Sequence, residues 1–272
     1  MAKRNALILP APVSIPEWQR PVIAVPLQQA FPELGEVKEF RSKVCLFNHD
    51  RSRIFDVVSP RYQVIPHVDA VKLLVDAMTQ YFGTVPHYDV RSFGGGARMV
   101  AKFKLPIPPI RMGRHDVTDL LITMRNSYDR GWVFLAVLGA YRQICSNGMM
   151  IGEQFGSLNV RHVISAEGQD AQILPQLEYM VQHAPLLRDL WQEWAGTRMT
   201  YDEAGELLTG HFPDKYLTPV LEESRFPRSK WDLYNDLTRF STHDTKSVNR
   251  RMEFDEKISK LFYSDVELEG EE

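Results

Sequence analysis

Residues 119–148, DLLITMRNSYDRGWVFLAVLGAYRQICSNG, decide how this chain is expected to fold. The first apolar run favours a strand over Leu120–Arg125, and the polar residues 126–131 then predict a turn. A second apolar run, over residues 132–144, predicts another strand or a strand-to-helix element. Polar groups that can bind or react therefore stand at the edges of segments that are expected to be buried.

The segments before this stretch predict two more strands and a helix. Val37–Phe55 is typical of two strands around a turn at Asn48-His49-Asp50. Apolar residues then recur at helical spacing over His67–Phe82, and Gly83 is suited to end that helix.

A glycine-rich hairpin is predicted next. Tyr88–Phe93 and Ala97–Lys104 flank Gly94–Gly96, and three glycines tolerate the positive φ angles of a tight turn. A glycine run can also cradle phosphate where it opens a helix. Here a strand follows the glycines, which favours the turn.

The second half of the chain is predicted to be mainly helical. The expected helices are 172–182, 185–194, 200–208, 230–241 and 250–261. The expected class is α+β, with an N-terminal antiparallel sheet of hairpins, a packed helix and a mainly helical C-terminal portion. The predicted divisions are an irregular N-terminal arm (1–36), an α+β core (37–168), a helical portion packed on the core (169–263) and an acidic tail (264–272).

Composition narrows the class of protein. Hydrophobic residues make up 44% and charged residues 25% of the 272 residues, which is ordinary for a globular chain. Apolar runs such as Trp132–Ala140 are far shorter than the ~20 residues that span a bilayer. Cys45 and Cys145 lie in no disulfide or zinc spacing. The sequence thus predicts a cytoplasmic protein with no membrane span and no cofactor.

The charge is unevenly distributed along the chain. Residues 265–272 carry five carboxylates, and removing these from the net charge of −3 leaves +2. Seven basic residues fall within Arg225–Arg251. A basic body is compatible with a nucleic-acid partner. The tail is either a solubilising segment or a contact for host or phage replication and recombination proteins.

The hairpin supports a nucleic-acid hypothesis. The residues suited to phosphates are Arg91, Arg98, Lys102 and Lys104, and those suited to stacking on bases are Tyr88 and Phe93. The expected partner is single-stranded DNA, which the chain would bind or anneal. The order of strands and helix also resembles ring-forming strand-annealing proteins at the level of fold, which leaves a homo-oligomer open.

A hydrolase hypothesis uses a different set of residues. Cys145 would be the nucleophile, with His162 as base and Asp129 or Asn147 as orienting group. The competing structural interpretation makes Asn147-Gly148 a helix C-terminus behind Arg142 and Cys145 on one helix face. It also lets Asn126, Ser127 and Asp129 close a turn through side-chain-to-backbone bonds.

A metal site is not predicted. The residues that could form one are His162, His243, Asp129 and Asp244. No pair among them has a close ligand spacing such as that of the two histidines in an HExxH helix.

Several phrases together resemble the phage/plasmid-like protein family, domain of unknown function 932. They are PRYQVIP (60–66), NSYD (126–129), RQICSNG (142–148), His162, WDLYNDLT (231–238) and Thr242-His243. The motif residues that this resemblance implies are Asn126, Ser127, Asp129, Arg142, Cys145, Asn147, Asn235, Thr238 and His243. One departure is that Arg130 follows Asp129, so that glycine comes only at Gly131.

The resemblance implies a phage, prophage or plasmid setting and carries no established activity. The prediction is therefore a protein of mobile-element DNA metabolism that binds or anneals single-stranded DNA. A Cys145-centred hydrolase and a non-enzymatic modulator of a host protein are the alternatives.

Overall fold

The computed structural model describes residues 15–35, 38–112, 116–142, 147–150, 155, 157–160, 170–222, 226–264 and 266. The strands in this part are β1 (Ile23–Pro26), β2 (Val44–Phe47), β3 (Ile54–Val58), β4 (Tyr88–Phe93), β5 (Arg98–Lys104), β6 (Ile110–Arg111), β7 (Val117–Ser127), β8 (Phe134–Arg142), β9 (Asn147–Met150), β10 (Ser157–Val160), β11 (Arg198–Met199) and β12 (Arg228–Ser229). The α-helices are α1 (Leu27–Ala30), α2 (His67–Phe82), α3 (Asp170–Gly196), α4 (Tyr201–Leu208), α5 (Asp214–Glu222), α6 (Lys230–Arg239) and α7 (Val248–Tyr263). The predicted α+β class, with sheet first and helices after, is confirmed.

A large antiparallel sheet forms the centre of the fold. Its strand order is β10-β8-β7-β5-β4, with β6 added beside β7 and β9 beside β8. Apolar residues on one face of β5, β7 and β8 are buried, among them Phe103, Ile122 and Leu138. The apolar runs within residues 117–127 and 134–142 form strands because the two pair with each other over almost their whole length.

Helix α2 covers that apolar face, as its sequence spacing predicts. Ala70, Val71 and Leu74 are buried in the same core as Phe103. The helix ends at Gly83, which has φ +70° and donates its N–H to the carbonyl of Thr79. The predicted bounds of this helix, including its glycine stop, are confirmed.

The helical half differs from prediction in two elements. Helix α3 is one helix of 27 residues, where two were predicted, and it runs through Pro175 and Pro185. Packing of Leu187 and Trp191 in the core offsets the hydrogen bonds that prolines remove. Helix α5 was not predicted. A capping box formed by Thr200 and Glu203 begins α4, the helix predicted over 200–208.

The expectation that Asn147-Gly148 ends a helix is wrong. Asn147 begins β9 and is the antiparallel partner of Arg142, the last residue of β8. Arg142 is also paired with Thr118 of β7, so strand pairing on both sides determines its backbone. Arg142 therefore shares no helix face with Cys145, which lies outside the described residues.

A second, small sheet has the order β1-β2-β3. It has its own apolar cluster of Val25, Leu27, Cys45 and Phe47. Burial raises the pKa of the Cys45 thiol, as for a small hydrophobic residue of the core. Strand β1 lies within the arm that was expected to be irregular. None of the helices in the described ranges combines the length and apolarity needed to cross a bilayer.

Candidate functional site

The turn between β7 and β8 is closed by its own polar side chains. The Ser127 hydroxyl accepts from the backbone N–H of Trp132 at 3.0 Å and donates to its carbonyl at 2.9 Å. The Asp129 carboxylate accepts from the N–H of Gly131 at 3.0 Å. For Ser127 and Asp129, the turn-closing hypothesis is confirmed.

Asn126 instead binds the start of helix α2. Its amide nitrogen donates to the Ile65 carbonyl at 2.8 Å and to Nδ1 of His67 at 3.0 Å. Since a carbonyl only accepts, the Nε2 of His67 carries the hydrogen that goes to Gly96 at 3.1 Å. His67 also stacks on Tyr128, whose hydroxyl accepts the His67 N–H at 2.7 Å.

This buried network ties three elements together. His67, which is 1% exposed, joins all three. It contacts the motif residues Asn126 and Tyr128, the first turn of α2, and the glycine turn at Gly96. Nothing in the local pattern marks His67 beyond its place at the start of a predicted helix. Its contacts position the glycine turn, which forms part of the cleft described below.

Arg130, the residue that separates Asp129 from Gly131 in the NSYD turn, contacts the small sheet. Arg130 adopts φ +54° and forms a two-pronged ion pair with Asp56 of β3, one hydrogen bond of which is 2.8 Å. Gly131 leaves room for the guanidinium of Arg98, which would lie 2.5 Å from a Cβ at that position. The longer turn therefore connects the two sheets.

Arg98 is engaged within the chain. It donates to Asp129 at 2.7 Å and to Asn249 of α7 at 2.7 Å, and it lies 5.2 Å from the ring centre of Trp132. Phe93 packs edge-on against the same Trp132 ring. Asp129, assigned in the hydrolase hypothesis to orient the base, is thus the ion partner of Arg98.

The other predicted nucleic-acid residues fall into two groups. Lys104 pairs with Asp119 at 2.9 Å, and burial lowers the pKa of Lys102. Arg91 and Tyr88 lie at the exposed edge of the sheet, with Arg91 paired to Asp89 and Tyr88 packed beside Phe103. The cations Arg91, Arg98, Lys102 and Lys104 share one face of the sheet, and Tyr88 lies on the other. Each of these cations is paired or buried within the chain.

Lys102 lies under helix α7, close to a second charged cluster. The Ser241 hydroxyl donates to Asp255 at 2.6 Å, and Arg125 of β7 pairs with Glu256 at 2.8 Å. Burial raises the pKa of Asp255 to about 6, against the opposing effects of the Ser241 hydrogen bond and the cations Lys102 and Arg251. The cluster joins α7 to the sheet.

The late motif residues have structural contacts where they are described. Asn235 donates to the carbonyl of Trp231 at 2.7 Å, and Thr238 donates to that of Asn235 at 3.0 Å. His243 lies exposed in a π-helical turn, Phe240–Asp244. Cys145, His162 and residues 267–272 lie outside the described part, so the hydrolase and tail hypotheses stay predictions.

An open cleft lies between the small sheet and the glycine turn, and we call it the glycine-turn cleft. Its volume is about 240 Å³. It is lined by Glu17, Arg20, Pro21, Asn48, His49, Asp50, Ser52, Arg53, Phe55, Gly95, Gly96 and Tyr128. Phe55 stacks on Tyr128 with ring centres 5.7 Å apart and forms an aromatic wall of the cleft.

The cleft concentrates hydrogen-bond donors. Gly94, Gly95 and Gly96 all have positive φ, and within the described ranges their N–H groups donate to no acceptor. The Arg53 guanidinium packs on Gly95, where a Cβ would lie 2.8 Å from its Nη1. Neither Arg53 nor Arg20 has a carboxylate partner in that part of the chain, and Arg20 donates to the carbonyl of Ile15.

This site was not predicted from the sequence. The glycine turn was predicted correctly, but a phosphate-binding role was set aside because no helix follows the glycines. The cations that complete the donor set come from residues 20 and 53, more than forty positions earlier in the chain. The basic phrase Arg51-Ser52-Arg53, directly after the predicted turn at residues 48–50, was the only local signal.

Metal chemistry finds no support in the described residues, which contain no group of three or more His, Cys, Asp or Glu side chains that could hold an ion. The chain is an α+β protein whose cleft brings two arginine side chains beside a glycine turn. Comparison with known families then places it: the chain belongs to the family described as a domain of unknown function, DUF932, which matches residues 54–261. Comparison with curated proteins and with solved structures finds no match.

Proposed function

We propose that this chain is a nucleic-acid-binding protein of mobile-element DNA metabolism, and that it binds single-stranded DNA across the glycine-turn cleft. The observation that carries the proposal is the donor set of the cleft. Two guanidinium groups and the backbone of Gly95 and Gly96, whose N–H groups donate to no acceptor within the described ranges, line one open groove. Guanidinium groups and turns rich in N–H groups are the common ligands of phosphate oxygens.

The size of the cleft favours a polymer over a metabolite. Its volume of about 240 Å³ is below the roughly 300–1,000 Å³ of most small-molecule pockets. A cleft of this size and openness holds one phosphate and its neighbouring groups. A strand that continues on both sides supplies the remaining contacts.

The aromatic wall favours a single strand over a duplex. Phe55 is half-buried, and one side of its ring is supported by Tyr128. An exposed ring face beside a cationic groove is the arrangement on which unpaired bases stack. Bases within a duplex are already stacked on each other and do not present such a face.

The carboxylates of the cleft are already engaged. Asp50 accepts from the backbone N–H and the hydroxyl of Ser52, and these hydrogen bonds lower its pKa. Glu17 accepts from the hydroxyl of Ser92 at 3.4 Å. Both carboxylates stay negative, but within the described residues neither forms an ion pair with Arg20 or Arg53, so the guanidinium N–H groups remain available to an incoming anion.

The test is fluorescence anisotropy with a labelled oligo(dT) of about 30 nucleotides. We expect tighter binding at low salt, with Arg53→Ala and Arg20→Ala each weakening it by about three- to tenfold and lowering the salt slope by about one. Arg188→Ala, an exposed arginine on α3, is the matched control and should not change the affinity. Absence of salt-dependent binding by the wild-type chain would overturn the proposal, as would unchanged affinity in both cleft variants.

A duplex competitor separates the two forms of DNA. We expect unlabelled oligo(dT) to displace the probe at lower concentration than a duplex of equal length. Equal competition would mean that the cleft contacts only phosphate groups and that no base stacks on Phe55.

A further inference from the structure

Strand β4 forms an open edge of the large sheet. It pairs only with β5 in the described part of the chain, and the strand order ends there. His87 accepts from the N–H of Lys104, so odd-numbered residues of this segment face β5. The backbone groups of Tyr88, Val90 and Ser92 therefore point outward, where a further strand would add.

The outward edge carries a self-complementary charge pattern. Asp89 and Arg91 lie on the same face of β4, across from Lys102 and Val100 of β5. Their side chains are 62% and 76% exposed. They flank Val90 on either side, with one negative charge and one positive charge.

We propose that a second copy of this chain pairs with β4 in antiparallel orientation about a two-fold axis at Val90. Val90 then faces Val90 of the other copy, and Tyr88 faces Ser92. Each of these pairs is of the hydrogen-bonded type because all three residues present outward backbone groups. This interaction is independent of the proposed nucleic-acid binding, since it needs neither DNA nor the cleft.

Charge selects this register over its neighbours. With the axis at Val90, Asp89 of each copy lies directly opposite Arg91 of the other, where cross-strand side chains are closest. Moving the axis by one residue places Asp89 opposite Asp89 or Arg91 opposite Arg91. Like charges directly opposite each other destabilise a sheet, so both shifted pairings are disfavoured.

Exposed apolar residues next to the edge add to the proposed interface. Val85 and Tyr88 are 65% and 38% exposed at the start of β4. Charged residues on an edge strand usually prevent pairing. Here a negative charge and a positive charge follow each other on one face of β4, so a partner strand must carry the opposite charges at the facing positions. A second copy of β4 in antiparallel orientation meets this requirement.

The test is the mass of the full chain in solution, measured by sedimentation velocity from about 1 to 200 µM. We expect the wild-type chain to rise from 31.4 kDa toward twice that mass. Asp89→Arg alone and Arg91→Asp alone should each remain monomeric. The double variant, which exchanges the two charges, should dimerise again.

Mixing the two single variants gives the sharpest result. One then carries two positive charges on β4 and the other two negative charges, so we expect a mixed dimer from two chains that are each monomeric. Lys72→Glu, in an exposed ion pair on α2, is the control and should dimerise like the wild type. Circular dichroism confirms that each variant is folded.

A wild-type chain that stays monomeric at every concentration would overturn the proposal. Dimerisation that survives both single substitutions would overturn it too, because the contact would then lie elsewhere. So would a mixture of folded single variants that remains monomeric.

Discussion

The amide of Asn126 donates to Nδ1 of His67 at 3.0 Å in the buried centre of the molecule. It thereby sets the tautomer of the ring, and the ring in turn donates to the carbonyl of Gly96. A residue of the NSYD motif thus supports the turn that forms one wall of the cleft.

Asn126→Ala should lower the free energy of unfolding by about 2–4 kcal/mol. The substitution removes donors from the Ile65 carbonyl and from His67, and buried groups left without partners are costly. Urea unfolding followed by fluorescence measures the effect. Asn249→Ala, which removes an exposed bond to Arg98, should cost less than about 1 kcal/mol. Equal losses in the two variants would contradict a special role for Asn126.

Gly95→Ala should weaken DNA binding more than Gly94→Ala. Both glycines have positive φ, +67° and +64°, so either alanine costs about 1–2 kcal/mol of backbone strain. Only at position 95 would the new Cβ meet Arg53, since at position 94 it meets the Cβ of Ala97 at an ordinary 3.5 Å. Stability and anisotropy are measured on both variants. If both lose affinity equally, the position of Arg53 is not what matters.

Arg98→Ala should lower stability by about 1–2 kcal/mol and leave oligo(dT) affinity within about twofold. Its guanidinium is committed to Asp129, Asn249 and the Trp132 ring rather than to solvent. Arg91→Ala, on the exposed edge, should change stability by no more than about 0.5 kcal/mol. The reverse pattern, with affinity lost and stability kept, would restore Arg98 as a phosphate contact.

The stabilising effect of Asp255→Asn, measured as the difference in free energy of unfolding from the wild type, should increase as the pH rises. The pKa of Asp255 is raised to about 6 in the folded chain, above its ordinary value of 3.8. Between pH 4 and 6 the unfolded chain therefore binds fewer protons at this carboxyl, and wild-type stability falls as pH rises.

The advantage of the Asp255→Asn variant over wild type should grow by about 2 kcal/mol between pH 4 and pH 7. Urea unfolding at several pH values measures it. Glu253→Gln, at an exposed position on the same helix, serves as control and should show a difference that varies little with pH. A difference for Asp255→Asn that is constant across this range would rule out the raised pKa as its cause.

Much of the fold could be predicted from local patterns. Helix α2 and the glycine hairpin follow from apolar spacing and from glycines that tolerate positive φ. The strand at Asn147 could not be predicted, because its Asn-Gly pair suits a helix end equally well and only pairing with β8 decides. Helix α3 could not be predicted as a single helix either, because its contacts in the core outweigh the helix-breaking effect of two prolines.

The site was harder to predict than the fold. The phosphate-binding interpretation of Gly94–Gly96 depends on Arg53 and Arg20, which only tertiary structure brings near. In the basic hairpin, the sequence overstated the charge available to a ligand. It shows Arg98 and Lys104 as cations but does not show the carboxylates that neutralise them in the fold. Charge patterns predict composition of a surface, whereas ion pairing depends on which strands become neighbours.

The family match begins at residue 54, inside the glycine-turn cleft. Phe55, Gly95 and Tyr128 fall within the matched region, while Arg20 and Arg53 precede it. A fragment trimmed to residues 54–261 would keep the aromatic wall and glycine rim but lose both guanidinium groups and the strands β1 and β2 that pair beside β3. Binding assays on such an excised domain would therefore test a cleft that lacks both of its arginines, and a chain that includes residues 15–53 is the material on which ligands should be sought.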